Sequence, residues 1–149
     1  MVTIGETIEI DAPPEQVFDY LDDPHNHAAV TPSLTDVDDV EPLENGGKRL
    51  SFTYQMLGIG LDGELVQTHH EPNGRMTFDM HGVLEGEIDL EFEAIDGGAG
   101  TRMTYTCTYD IPGRVTSAAA SPVVKRYNER DLRTTLENVK TALEASATS

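Results

Sequence analysis

The sequence is short of several residue types, and each shortage excludes a class of protein. Its 149 residues include one cysteine, Cys107, which rules out an internal disulfide and fits a reducing cytoplasm. Lysine and arginine number 10 against 27 aspartates and glutamates, which gives a formal charge of −17. This deficit of positive charge excludes a protein held by nucleic-acid phosphates or by anionic lipid headgroups. No apolar run approaches the roughly 20 residues that a membrane span requires, and we expect the alternating, acidic segment 1–10 to be a strand rather than a signal peptide.

Lysine is scarce even among the basic residues, since the chain has only Lys48, Lys125 and Lys140. An acidic, lysine-poor composition is typical of proteins from halophiles, which work in multimolar salt. There the Debye length falls to about 3 Å or less, so like charges barely repel. The alternative is an acidic protein from an ordinary bacterium. The length predicts a single domain over residues 1–149.

Turn motifs divide the middle of the chain at regular intervals. Asn45-Gly46-Gly47, Asp62-Gly63, Asn73-Gly74 and Asp96-Gly97-Gly98 contain residues that tolerate positive φ in tight turns. Between the motifs, apolar and polar residues alternate, which predicts antiparallel strands with one face toward water. The predicted strands lie near 2–10, 34–42, 47–57, 61–71, 75–82, 84–95 and 100–111.

Helices are predicted on either side of this strand-rich segment. Pro13-Pro14-Glu15 begins a short helix, and Asp23 can cap a second one that starts at Pro24 and ends before Pro32. A long helix is expected over about 115–145, with Ser121 as a cap and Pro122 at a start or kink. Its apolar stripe consists of Val124, Leu132, Leu136, Val139 and Leu143. The long helix should cover the apolar face of the sheet, because no other predicted element is large enough.

The opening segment, Ile8 to Pro24, carries a resemblance to a known family. In this segment an alternating strand is followed in order by Ala12-Pro13, a glutamate, the pair Val17-Phe18 and a Leu-x-Asp turn. With the last helix, this order resembles the START-like or helix-grip superfamily, and most of all its branch of polyketide cyclase/dehydrase and lipid-transport proteins. The resemblance covers essentially the whole chain. One departure is that the family often has a tryptophan in the second short helix, where this chain has Ala28-Ala29-Val30 and no tryptophan anywhere.

The resemblance implies an α+β, helix-grip fold. This is a curved seven-stranded antiparallel sheet with two short helices after the first strand and a long C-terminal helix over the concave face, enclosing an apolar cavity. Family members include ligand carriers, cyclases, hydrolases, sensors and co-chaperone domains, so the fold does not choose the function. We expect binding or carriage of a small hydrophobic molecule, such as a lipid, isoprenoid or polyketide-like compound. The alternatives are a cyclase/dehydratase-type enzyme that uses the same cavity and a co-chaperone-like interaction domain.

The candidate ligand site follows from side chains on the apolar side of the strands. Three tyrosines and one asparagine of the long helix share faces otherwise made of Phe, Leu and Met. Either these polar groups satisfy one another, or they bind a ligand's oxygens. The predicted ligand-binding residues are Phe52, Tyr54, Phe78, Met80, Leu90, Tyr105, Tyr109 and Asn128.

No catalytic residue is defined by a motif. Gln67 and His69 share the parity of Leu61 and Leu65, so His69 is expected near one end of the cavity and is the best candidate acid or base. The other histidines are expected at the surface or rim. Cys107 lies on an apolar face, where a thiol usually behaves as a small hydrophobic group.

Cofactor and metal motifs are weak. The GxGxxG pattern at 58–63 lies between strands, whereas a dinucleotide site needs a helix after it, so a flexible strand connection is expected. Adjacent His69 and His70 point to opposite faces of a strand, and His25 and His27 diverge on a short helix. We therefore expect no cofactor and no metal, and the sequence leaves the oligomeric state open.

Overall fold

The structure is a computed structural model that describes residues 2–56, 58–110 and 120–147. The strands are β1 (Val2–Ile10), β2 (Leu34–Pro42), β3 (Lys48–Met56), β4 (Ile59–Glu71), β5 (Arg75–Gly82), β6 (Glu85–Ile95) and β7 (Gly100–Asp110). The helices are α1 (Pro14–Asp22), α2 (Pro24–Val30) and α3 (Ala120–Ala147), with a short 3₁₀ turn at Asp96–Gly98.

The strands form one antiparallel sheet in the order β1-β7-β6-β5-β4-β3-β2. Five of the six pairings join strands that follow one another in sequence, and the sixth brings β1 against β7. The predicted α+β helix-grip fold is confirmed. No helix in the described ranges is long and apolar enough to cross a membrane.

The turn motifs behave as predicted at three of four places. Gly46, Asn73 and Gly97 adopt positive φ values of 89°, 66° and 69°. The prediction of a turn at Asp62-Gly63 is wrong, because both residues lie within β4 and the positive φ falls at Gly58 instead.

Gly63 is required for close packing rather than for a turn. A Cβ at this position would lie 2.9 Å from two ring carbons of Phe52 and 2.8 Å from the carbonyl oxygen of His81. The last glycine of the GxGxxG pattern thus lets an aromatic ring lie directly on the neighbouring strand. The pattern enters a strand, without the helix that a dinucleotide site needs.

The two short helices start as predicted. Pro14 and Pro24 occupy their first positions, and the Asp23 side chain accepts a hydrogen bond of 2.9 Å from the backbone N–H of His25. The second helix ends at Val30, before Pro32.

The described part of the long helix begins at Ala120. Pro122 lies in its first turn, which agrees with the prediction of a proline near the helix start, whereas Ser121 lies inside the helix and not at an N-cap position. Residues 115–119 of the predicted range lie outside the described residues. The apolar stripe is confirmed, since all five of its predicted members are buried.

Helix α3 reaches both halves of the sheet. Near its C-terminus, Lys140 Nζ donates to the carbonyl of Glu9 on β1 at 2.9 Å. Nearer its start, the Tyr127 hydroxyl donates to the carbonyl of Gln55 on β3 at 3.2 Å. β1 is an edge strand, and four strands separate it from β3. One straight helix can contact both only because the sheet curls around it.

The opposite face of the sheet carries charged side chains. Arg102 on β7 pairs with Glu9 on β1 at 2.9 Å and with Glu93 on β6 at 2.8 Å. Such exposed pairs contribute little to stability in water, because solvent and salt screen them. The concave face therefore holds the core and any enclosed site.

Candidate functional site: a cavity under the long helix

A cavity lies under α3 within the curl of the sheet. Its volume is about 100 Å³, counted as the space that the centre of a water molecule can occupy. All seven strands and all three helices contribute lining residues. The apolar part of the wall consists of Ile4, Leu21, Pro24, Leu34, Val37, Leu50, Phe52, Met56, Leu65, Phe78, Met80, Leu84, Ile88 and Leu132.

Most residues predicted for the ligand site border this cavity. The seven that do so are Phe52, Tyr54, Phe78, Met80, Tyr105, Tyr109 and Asn128. Leu90, the eighth, is fully buried in the hydrophobic core and does not border the cavity. Strand alternation places a residue on a face of the sheet, but it does not distinguish a cavity wall from a filled part of the core.

His69 is exposed, so its predicted inward orientation is wrong. The register between β4 and β5 shifts between Gln67 and His69, where a bulge inserts one residue. This insertion reverses the alternation and turns His70 inward instead. His70 lies edge-on to the Phe18 ring at 5.2 Å, and its Nε2 lies 2.9 Å from Asp22 Oδ1.

His27, which the sequence placed at the surface or rim, is the buried histidine of the cavity wall. Its Nε2 lies 2.9 Å from the hydroxyl of Tyr105, and the two rings meet edge-on at 5.8 Å. A signal for this was present: His27 is three residues before Val30, so both lie on one face of α2. Val30 is buried with it.

A network of hydrogen bonds closes the cavity where α3 faces β3. The Tyr54 hydroxyl lies 2.9 Å from Asp131 Oδ2 and 3.2 Å from Asn128 Oδ1. Asn128 Nδ2 in turn donates to the Tyr109 hydroxyl. The other oxygen of Asp131 accepts from the backbone N–H of Ser33 at 3.2 Å and from its hydroxyl at 2.8 Å.

Asp131 is the centre of this network and was not identified from the sequence. Its carboxylate is buried and faces three donors from two separate segments of the chain. Its spacing could have indicated it, because it lies three residues after Asn128 and four before Thr135 on the same helix face. Charged residues on a helix usually face water, so a buried position was not expected for Asp131.

Burial shifts the pKa values of His27, Cys107 and the three wall tyrosines toward their uncharged forms. It lowers the pKa of His27 to about 4. It raises the pKa values of Tyr109 and of the Cys107 thiol to about 12. It also raises the pKa values of Tyr105 and Tyr54, and for Tyr54 the negative charge of Asp131 adds to the effect.

Gln67 lies at the other end of the lining, on β4. Its Oε1 accepts from the backbone N–H of Lys48 at 3.0 Å. Its Nε2 is buried and has no hydrogen-bond partner among the described residues. Nearby on the wall, Lys48 Nζ lies 3.5 Å from Asp22 Oδ1.

The described ranges contain no group of three or more His, Cys, Asp or Glu arranged to hold a metal ion. Asp22 and His70 come together, but the cation beside them is Lys48.

Comparison with known proteins places the chain in a family. Residues 1–144 match the family described as polyketide cyclase / dehydrase and lipid transport. The chain belongs to this family. A search of curated proteins gives no match.

This member of the polyketide cyclase / dehydrase and lipid transport family shares its fold with solved structures at low identity. TTHA0849 from Thermus thermophilus has a TM-score of 0.83 at 18% identity, covering 97% of this chain and 99% of that one. The Zhui aromatase/cyclase from Streptomyces sp. R1128 has a TM-score of 0.77 at 15% identity, covering 96% and 93%. A START superfamily protein from Mycobacterium smegmatis has a TM-score of 0.76 at 13% identity, covering 96% and 97%. These similarities show the fold, and a fold alone does not determine function.

Proposed function

We propose that the protein binds and carries a small, mostly apolar molecule of the lipid, isoprenoid or polyketide-like kind. The proposal rests on one observation, the cavity. Residues from every described strand and α-helix line it, and its wall is largely apolar. Ligand sites in proteins have this character, with a few polar groups that fix orientation. Phe52, Phe78 and Met80 would supply apolar contact, and the flexible Met80 side chain can adapt to ligand shape.

The chemistry of the wall supports binding over acid–base catalysis. A general acid or base works best when its pKa lies near the operating pH. The pKa of His27 is lowered to about 4, while the pKa of its partner Tyr105 is raised. The His27–Tyr105 pair is thus a neutral hydrogen bond at pH 7. His69, the sequence candidate for an acid or base, is exposed. Among the described wall residues, the His27–Tyr105 pair is therefore a weak proton donor and acceptor for a cyclase or dehydratase at pH 7.

Titration with N-phenyl-1-naphthylamine, a neutral apolar fluorophore, tests the proposal. We expect saturable one-to-one binding, because the probe is apolar and its fluorescence rises on leaving water. Val37→Phe should weaken binding at least tenfold, since Val37 borders the cavity and the larger ring occupies part of it. Val40→Phe is the matched control, because Val40 lies on the same strand and is 37% exposed.

Equal binding by both valine variants, or no saturable binding by the folded wild type, would contradict the proposal. Native mass spectrometry of protein purified from its own host adds an independent test. It should show an apolar compound that stays bound to the wild type and is depleted in Val37→Phe.

A further inference from the structure

The side-chain amide of Gln67 has its orientation fixed by a neighbouring backbone group. The N–H of Lys48 can only donate, and it lies 3.0 Å from the amide. The oxygen must therefore face Lys48, and the NH₂ group must face the other way. Swapping the two amide atoms would set one donor against another.

The NH₂ group so oriented lacks a partner. Gln67 is 2% exposed and borders the cavity. Nε2 is the one fully buried side-chain nitrogen or oxygen, among the residues the structure describes, that has no hydrogen bond. A buried donor left unpaired costs about 1–3 kcal/mol, and native proteins seldom keep one without a reason.

The charges nearby select the kind of acceptor that would complete this donor. The ammonium of Lys48 already lies 3.5 Å from Asp22 Oδ1, and His70 Nε2 lies 2.9 Å from the same oxygen. A ligand carboxylate placed here would compete with Asp22 for the ammonium of Lys48. The formal charge of −17 also disfavours an anionic ligand. A neutral oxygen acceptor avoids both the competition with Asp22 and the repulsion from the net negative charge of the protein.

We propose that Gln67 Nε2 donates a hydrogen bond to a neutral carbonyl oxygen of the bound molecule, as in a ketone, ester or amide. This inference rests on the proposed binding function and names the class of ligand. The apolar body then extends from Gln67 along β3 toward Tyr54. Lys48 and Tyr54 mark the two ends of this path and are six residues apart, about 20 Å of strand. Leu50 and Phe52 border the cavity between them.

A pair of probes that differ in one carbonyl tests the inference. The first is the fluorescent ketone 6-propionyl-2-(dimethylamino)naphthalene, and the second is its 6-propyl analogue, which lacks the oxygen. Wild type should bind the ketone about tenfold more tightly than the analogue, the value of one well-made hydrogen bond in a buried site. The emission of the bound ketone should also lie at longer wavelength than in a dry apolar site. Its excited state places negative charge on the carbonyl oxygen, and the Gln67 hydrogen bond stabilises that charge.

Two substitutions at Gln67 separate recognition from folding. Gln67→Met removes the donor, and Gln67→Glu removes it while keeping an oxygen for the Lys48 N–H. Both should abolish the preference for the ketone, with Gln67→Glu binding it more weakly. Binding of the propyl analogue should survive in Gln67→Met, which shows that the cavity persists. Gln55→Glu, the same chemical change outside the cavity lining, is the matched control and should leave both affinities unchanged.

The possible results separate a failure of the carbonyl assignment from a failure of the proposed binding function. If wild type binds both probes equally, the carbonyl assignment is wrong and the binding function stands. The same conclusion follows if the preference for the ketone survives in Gln67→Met. If wild type binds neither probe, both the inference and the proposed function are overturned. Should a variant fail to fold, the wild-type preference and emission wavelength decide by themselves.

Discussion

The two polar ends of the cavity use similar chemical groups but differ in how completely those groups are paired. Where α3 faces β3, the Tyr54 hydroxyl lies within hydrogen-bond distance of Asn128 and Asp131, and Asp131 also accepts from Ser33. At the end near α1, Gln67 has its oxygen paired and its nitrogen unpaired among the described residues. A paired group can serve the fold by itself, whereas an unpaired buried donor is unfavourable until an acceptor arrives.

This difference separates two roles that look alike in the sequence. Polar residues on an apolar face either hold elements together or recognise a ligand. The first kind should affect stability when replaced, and the second should affect binding. Substitutions at the two ends, and changes of pH and salt, should reveal that division.

Replacing Asp131 should produce the largest loss of stability. Asp131→Ala removes the buried carboxylate that accepts from the Ser33 N–H, the Ser33 hydroxyl and the Tyr54 hydroxyl. We expect the free energy of unfolding in urea to fall by about 3 kcal/mol or more. Glu137→Ala, at an exposed site on the same helix, should change it by less than about 0.5 kcal/mol. Equal effects for the two variants would show that the network does not hold α3 to the sheet.

The pH dependence of stability should report the burial of His27. Its folded pKa is lowered from 6.5 to about 4, so between these values the unfolded chain binds a proton that the folded chain does not. Stability from this group is therefore complete above about pH 6.5 and is lost as the pH falls toward 4. The loss amounts to about 3 kcal/mol.

Comparing variants isolates this contribution from that of the carboxylates. His27→Gln should remove the loss between pH 6.5 and 4, seen as a flatter plot of unfolding free energy against pH. His25→Gln, at an exposed position on the same helix, should keep the wild-type slope. Parallel plots for wild type and His27→Gln would mean that His27 takes up its proton in the folded state.

Gln67→Met should alter stability much less than Asp131→Ala. The substitution loses the bond from the Lys48 N–H, worth about 0.5–1.5 kcal/mol, but it also removes the unpaired NH₂ group. We expect a net change within about 1 kcal/mol in urea unfolding. A loss as large as that of Asp131→Ala would place Gln67 with the structural groups and remove the contrast between the two ends.

Salt should change the stability of the whole protein but leave the effect of Asp131→Ala nearly unchanged. Raising KCl from about 0.1 M to about 3 M shortens the Debye length from about 10 Å to below 3 Å and screens the repulsion among the 27 carboxylates. The wild-type melting temperature should rise strongly. The difference in melting temperature between wild type and Asp131→Ala should stay nearly constant, because that network is buried. Equal wild-type melting temperatures at both salt concentrations would show that the acidic composition is not a salt adaptation.

Local sequence patterns determined most of the secondary structure. The seven predicted strands match the observed strands to within two residues at each end, and the Asp23 cap with Pro24 fixed the start of α2. These features depend on alternation, turn residues and caps, which act over a few neighbouring residues. The same alternation brought seven of eight predicted ligand residues to the cavity wall.

Only the tertiary structure decided which polar groups meet. One inserted residue between Gln67 and His69 reversed the orientations of His69 and His70. No local sequence pattern predicts such a bulge. His27 and Tyr105 lie 78 residues apart in the sequence, and Tyr54 and Asp131 lie 77 apart. Their pairing depends on how α2 and α3 seat against the curled sheet. The unpaired nitrogen of Gln67 depends likewise on the Lys48 N–H beside it, because a hydrogen bond is set by position in space and not by spacing along the chain.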